Sequence, residues 1–322
     1  MAVYTKCTKK NIEEILSNYS IGKLNSFEGI QEGIENTNYF LLVNNKKYIL
    51  TIYEKRVKSA DLPFFSNLMT GLNEANFKCP IPILNNEKKT ITDYGSKKMM
   101  IVTFIEGKAK QTLTPKNCKL VGAEVAKMHE ITKKFNSERQ NDLSVNSWRK
   151  LFNSVKDECS KIHPDLSKLI EINLQDVEKN WPQNLPSGII HADLFNDNIF
   201  FQNDKFSGFI DFYFSCNDYY AFEVAICFNA LCFDGLQNNL SFNFTKAKNF
   251  IDGYNSIREL TENEKTNIKT LSQGAALRFL LTRVFDALNT VEGAIVKIKD
   301  PIEYLKRLEF HKNSKNFEDY FF

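Results

Sequence analysis

The feature that most constrains this chain is a change of texture a third of the way along. Up to Glu106-Gly107 the apolar residues fall in short β-branched and aromatic runs. Beyond that point they recur at helical spacing, with one return to β character at 188–212. Tyr39 to Val43, the pair Asn44-Asn45 and Lys46 to Glu54 read as strand, tight turn, strand, because asparagine tolerates the positive φ a two-residue hairpin turn demands. Asp61-Leu62-Pro63 is a helix start with Asp61 as N-cap, followed by Phe64, Phe65, Leu68, Met69 and Leu72 at helical spacing and stopped by Cys79-Pro80-Ile81-Pro82. A second hairpin around Asp93-Tyr94-Gly95-Ser96 leads into an apolar strand from Met99 to Ile105. Thr114-Pro115 then opens a helix whose inner face carries Cys118, Val121, Val125 and Met128, and helical patterning continues through 144–180 and 219–310. The pattern predicts an α+β fold of two lobes. Residues 1–103 form a small antiparallel-sheet lobe with one helix, and 104–322 form a larger, mostly helical lobe with a short β-insert. A cleft between two such lobes is where a ligand is expected.

Composition removes other classes. With 43% hydrophobic and 25% charged residues the chain is neither collagen-like nor largely disordered. A net charge of +3 gives no electrostatic case for a nucleic-acid or membrane-surface partner. The seven cysteines are odd in number, scattered and without a C-x-x-C pair, so disulfide-framework and zinc-ribbon readings fail and buried apolar roles are expected. The N-terminus lacks a signal-peptide core, and no run reaches the roughly 18 apolar residues of a membrane span, so a cytoplasmic protein is expected.

The chemistry concentrates in the β-insert, IIHADLFNDNIFF…GFIDFYF. Two strands flanking a polar loop would bring Asp193, Asn198 and Asp211 to one mouth. Phosphoryl transfer needs a carboxylate to orient and deprotonate the attacking hydroxyl and oxygen ligands for Mg²⁺, and one Asp with one Asn suits that hard cation. His191, directly after an apolar strand, reads as a packed, hydrogen-bonded residue. The plainer reading, Asp and Asn capping turns, explains each piece but not their combination.

This constellation resembles the protein-kinase-like superfamily, in particular its aminoglycoside-phosphotransferase and choline-kinase branch. The resemblance implies that Asp193 is the catalytic base, that Asn198 and Asp211 bind Mg²⁺, and that ATP is the donor. Asn217 to Ala225 is similar to the branch's G-D-P…D-L-A stretch, with Asp218 in a supporting role. Glu223 stands where aspartate is usual, which keeps a structural carboxylate one methylene longer. Ser26-Phe27-Glu28-Gly29, Gly33 to Tyr39, Tyr48 to Glu54, Ala60 to Phe65, His191 to Phe201, Ile210 to Phe214 and the run Ala276-Leu277-Arg278-Phe279-Leu280-Leu281-Thr282-Arg283 resemble the bacterial homoserine kinases of this fold. That resemblance implies L-homoserine as acceptor and threonine biosynthesis as setting. It says nothing of oligomeric state.

Two departures stand out. Thr51 occupies the position of the usual phosphate-binding lysine, and the helix after Asp61 offers no glutamate before Glu74. The phosphates are then left to Lys47, Arg56 or the backbone amides of the Gly33–Asn38 turn, with Gly33, Asn36 and Thr37 as candidates. Family position puts adenine on the backbone of Thr103 to Ile105, walled by Ile49, Met100 and Ile210. The acceptor's carboxylate calls for an arginine, Arg278 or Arg283, with Asn38 and Tyr213 lining the pocket. Two rivals stay open: a kinase of choline, another amino alcohol or an aminoglycoside, and a catalytically silent nucleotide-binding protein, which the absent lysine–glutamate pair motivates.

Overall fold

The computed structural model describes residues 5–30, 36–54, 57–235, 239–289 and 299–322. The chain divides into two compact units. Met1–Gly107 and Ser207–Tyr213 belong to the first, and Lys108–Phe206 with most of the chain from Phe214 onward belongs to the second. Phe104 belongs to the first unit, its amide donating to the Lys47 carbonyl at 3.2 Å and its ring meeting Phe40 edge-on at 5.6 Å. Segment 207–213 returns to the first unit through Phe209, whose amide donates to the Lys78 carbonyl and whose ring lies 5.7 Å from Phe77.

In the first unit, α1 (Lys9–Leu16) precedes β1 (Leu24–Ile30), β2 (Thr37–Val43), β3 (Lys46–Ile52), α2 (Leu62–Glu74), β4 (Ile91–Tyr94) and β5 (Lys97–Thr103). The strands form one antiparallel sheet in the order β1-β2-β3-β5-β4. Asn44 and Asn45 make the β2–β3 turn with φ of 46° and 60°, the left-handed pair the sequence predicts. The two-residue period of the pleat sends Tyr39, Leu41, Val43, Tyr48, Leu50, Ile52, Met99 and Ile101 into one core with Ile12, Ile15 and Leu16 of α1. The opposite face carries Asn38, Phe40, Ile49, Thr51 and Met100. A strand-dominated reading of the first hundred residues misses α1, whose start is signalled only by the Thr8–Asn11 capping box. Asp61 does not cap α2. It closes a 3₁₀ turn with φ −87° and ψ −16°, whereas a capping side chain needs extended backbone. β5 ends at Thr103, two residues short of the expected strand end.

The second unit begins with β6 (Lys108–Ala109) and α3 (Pro115–Thr132), which Thr114 caps as expected and whose Cys118, Val121, Val125 and Met128 are buried. After α4 (Val145–Asn153) and α5 (Leu166–Asn180) come β7 (Ser187–Ile190), β8 (Ile199–Gln202), β9 (Lys205–Phe209), which runs on into the first unit, and β10 (Cys216–Tyr219). β7 pairs with β10, while β8 sits between β6 and β9, so the insert splits into two small sheets. The chain continues with α6 (Tyr220–Leu231), β11 (Phe233–Asp234), β12 (Ser241–Phe242), α7 (Phe244–Asn255), α8 (Glu262–Leu288) and α9 (Ile302–Asn313). The C-terminal aromatic tail docks, with Tyr320 fully buried and its hydroxyl 3.0 Å from His311 Nδ1. All seven cysteines are free and six are buried. Among the described residues, no helix is long and apolar enough to cross a membrane.

α3 and α7 cross at a pair of glycines. A Cβ on Gly122 would stand 2.0 Å from the Phe250 carbonyl oxygen, and one on Gly253 2.0 Å from that of Lys119. Helices in such contact separate if either position gains a methyl. Gly122→Ala is expected to lower the stability by about 2 kcal/mol in urea denaturation, the usual cost of overpacking, and an unchanged midpoint would refute the close crossing.

Candidate active site

Where β7 ends, the chain turns sharply. His191 is fully buried, and Ala192 has φ +64°, a left-handed conformation that costs an L-residue about 1 kcal/mol. Its surroundings impose it. Glu223 on α6 is fully buried and accepts the amides of His191 and of Ala192, the latter at 3.1 and 3.2 Å. Arg278 on α8, only 1% exposed, donates from Nη1 to the Ala192 carbonyl at 2.6 Å. Burial pushes the Glu223 carboxyl up to about 7, against the pull of the two amides and of Arg278. The longer glutamate therefore keeps a structural part: its two oxygens gather the amides that enter the loop.

Asp193 comes next. The Asn198 side chain turns its NH₂ back onto this residue, donating to the Asp193 carbonyl at 2.8 Å and to its Oδ2 at 3.2 Å. Asn198 Oδ1 accepts no hydrogen bond among the described residues and remains as a hard neutral oxygen. Among the described residues no group of three or more His, Cys, Asp and Glu could hold a metal. A cation here would rest on one or two protein oxygens and on phosphates, which is how Mg²⁺ is commonly held. The donor set fits that ion. Asp218 on β10 lies opposite Gly188 of β7 and accepts from Asn141 Nδ2 and the Tyr219 amide, each at 2.7 Å, while burial raises its carboxyl.

Asp211 belongs to the first unit, whereas Asp193 and Asn198 belong to the second. Asp211 is exposed, with φ +62° directly after Ile210. Tyr213, two residues on, meets Tyr53 edge-on at 5.2 Å and Phe65 at 5.7 Å, which anchors the segment. Burial raises both tyrosine hydroxyls, and the Asp211 charge adds to it.

The sheet register places several nucleotide candidates side by side. Thr51 pairs with Asn38 on one side and Met100 on the other, and Ile49 lies on the same face. Thr51 Oγ1 donates to Asn38 Oδ1 at 2.8 Å, which makes a neutral polar pair across β2 and β3. Thr37 points the other way: its hydroxyl donates to Glu54 Oε1 at 2.8 Å and accepts from the Thr5 amide at 3.0 Å. Asn36 is buried and accepts from the Glu54 amide at 3.3 Å. Glu54, which also pairs with Lys97, is the hub that sequence reasoning missed. Lys47 pairs with Glu106 at 2.9 Å. Gly33 and Arg56 lie outside the described residues. The Thr103 amide is spent on the Ile81 carbonyl and that of Phe104 on Lys47, whereas the Ile105 amide makes no hydrogen bond among the described residues.

Of the two arginines, Arg278 faces the Ala192 carbonyl. Arg283 donates to the Asp300 carbonyl at 2.8 Å and to Glu303 at 3.0 Å, with its guanidinium 4.4 Å from the Tyr304 ring centre.

Known proteins bear on this arrangement at two levels. Solved structures share the fold: an amicoumacin kinase in complex with AMP-PNP, Ca²⁺ and Ami superposes with a TM-score of 0.72 at 13% identity, covering 97% of this chain and 95% of that one. A choline kinase from Cryptosporidium parvum does so with 0.67 at 17%, covering 95% and 94%. The fold is thus the protein-kinase-like α+β fold of small-molecule phosphotransferases. Residues 26–260 match the phosphotransferase enzyme family. The homoserine kinase of Mesorhizobium japonicum is 43% identical over 320 residues, 99% of each chain, and that of Xanthobacter autotrophicus is 44% identical over 322 residues, again 99% of each. The homoserine kinase of Agrobacterium fabrum is 41% identical across 99% of this chain and 98% of its own. The chain belongs to the phosphotransferase enzyme family and, within it, to the homoserine kinases.

Proposed function

We propose that this chain transfers the γ-phosphoryl group of ATP to the side-chain hydroxyl of L-homoserine, giving O-phospho-L-homoserine on the way to threonine, in the cytoplasm. The observation that carries the reading is likeness to homoserine kinases along 99% of the chain at 41–44% identity. Phosphoryl transfer demands little covalent chemistry of the protein, and positioning and charge do most of it. Asp193 orients the acceptor hydroxyl and takes its proton as the oxygen attacks phosphorus, while Asn198 fixes the Asp193 carboxylate through Oδ2. Asn198 and Asp211 are the residues for Mg²⁺, which when bound offsets charge on the β- and γ-phosphates. Adenine takes the Ile105 amide, which makes no hydrogen bond among the described residues, with Ile49, Met100 and Ile210 as walls, and the phosphates lie beside Thr51. Asn38, whose amide Thr51 orients, joins Tyr213 and Arg283 as acceptor contacts.

An ADP-release assay over a panel of hydroxyl compounds tests the acceptor. L-homoserine is expected to exceed choline, ethanolamine and an aminoglycoside in kcat/KM by at least about 10²-fold, since a site built for an ammonium and a carboxylate leaves charges unpaired when either is missing. A ranking led by choline would overturn the acceptor. Asp211→Ala is expected to weaken Mg·ATP binding in calorimetry and to depress turnover with it. Unchanged affinity would remove Asp211 from the metal site.

A further inference from the structure

We infer that Arg278 is a positioning residue for Asp193 rather than a ligand of the acceptor, an inference that rests on Asp193 being the base. The Ala192 carbonyl that Arg278 grips at 2.6 Å belongs to the peptide unit whose N–H is that of Asp193. Rotation of that unit swings the Asp193 side chain. From the other side Glu223 holds the amides of His191 and Ala192, so a carboxyl and a guanidinium pin the backbone around a residue at φ +64°. A left-handed alanine persists only where its surroundings over-determine it, and here two buried side chains do so. The guanidinium, 1% exposed, has its Cζ 4.6 Å from the Phe279 ring centre and 5.9 Å from that of Phe214. It is walled off from solvent, unlike a group that must meet a diffusing amino acid.

Steady-state kinetics on Arg278→Gln, with folding checked by circular dichroism, separates the roles. A loosened base misplaces the attacking hydroxyl, so kcat is expected to fall about 10²-fold with the homoserine KM within about threefold of the parent. A large rise in homoserine KM at preserved kcat would make Arg278 an acceptor ligand and overturn the inference, as would unchanged kinetics with a lowered melting temperature. If Arg278→Gln does not fold, Arg278→Lys, which keeps the charge opposite Glu223 but loses the planar fork, is judged by the same split. Failure of both to fold makes the role structural and overturns the inference too. Asp193→Ala reads the base independently: turnover lost there but normal in Arg278→Gln sinks only the positioning role, whereas turnover kept in Asp193→Ala sinks the assignment beneath it.

Discussion

Asp193→Ala is expected to bind Mg·ATP nearly as the parent does and to lose turnover by about 10³-fold or more, the range that removal of a general base produces. Nucleotide binding survives because the adenine and phosphate candidates lie in the first unit and because the carbonyl of residue 193, which the amide of Phe195 and Asn198 Nδ2 reach, is backbone and remains. What disappears is the one carboxylate that Asn198 holds by its Oδ2. Asp193→Asn sharpens the comparison: it keeps size and polarity and removes only the basic oxygen, so it should be nearly as slow as alanine. Turnover within a few-fold of the parent in either variant would dismiss Asp193 as base. Parent protein that binds Mg·ATP without transfer to any acceptor would instead revive a silent nucleotide-binding protein.

The second large effect is on stability, and it lies in the helical unit. His311 is fully buried, with Nδ1 3.0 Å from the Tyr320 hydroxyl and Nε2 3.1 Å from Asn229 Oδ1. Asn229 donates from Nδ2 to the carbonyls of Ala225 and Ser272, so its Oδ1 must accept, and His311 donates from Nε2. The neutral ring is therefore satisfied at both nitrogens. Burial, with Arg307 nearby, depresses its pKa from 6.5 to about 3. His129, whose Nδ1 lies 2.9 Å from the Tyr254 hydroxyl, is depressed by burial and by Arg258 and Lys133. A histidine with a depressed folded pKa contributes stability that is present above about 6.5 and lost as pH falls toward the folded value, because the unfolded chain takes up the proton first. His311 alone removes about 1.4 kcal/mol per pH unit between 6.5 and its folded value, and His129 adds a loss of the same sign. Glu223, raised from 4.5 to about 7, works the opposite way between those limits, because there the folded protein holds the extra proton. Between pH 7 and 4.5 Glu223 offsets about one ring's loss, so stability still falls on acidification, and falls more steeply once that offset ends. Urea midpoints at pH 7.5, 6.0 and 5.0 measure it, and His311→Gln should flatten the slope. A flat profile in the parent would contradict the buried neutral histidines.

How far the sequence reveals this molecule depends on the range of the interaction. The Asn44-Asn45 turn and the Thr114 cap are fixed by neighbours a few residues apart, and both form where the local chemistry demands. Asp61 shows the limit of such reading, since its backbone is committed to a 3₁₀ turn before its side chain can cap. Strand pairing is longer-ranged: nothing local says that β7 takes β10 rather than β8, or that 207–213 rejoins the first unit through Phe209. The spacing of Asp193 and Asn198 is visible because one short loop carries both. The clamp on Ala192 is not, because Glu223 and Arg278 stand 31 and 86 residues away. An arginine in a helix run reads equally well as a ligand or a strut until its carbonyl partner is seen. Thr51 is legible in the sequence by itself, whereas its partner Asn38 emerges only from the register of β2 on β3.

Phosphorus is expected to move from ATP to the side-chain oxygen of L-homoserine. Phosphorus NMR of the purified protein with ATP, Mg²⁺ and L-homoserine tracks that atom itself. A phosphomonoester resonance coupled to the homoserine γ-methylene protons is expected, growing in step with ADP. ADP accompanied only by inorganic phosphate, with homoserine recovered unchanged, would contradict it.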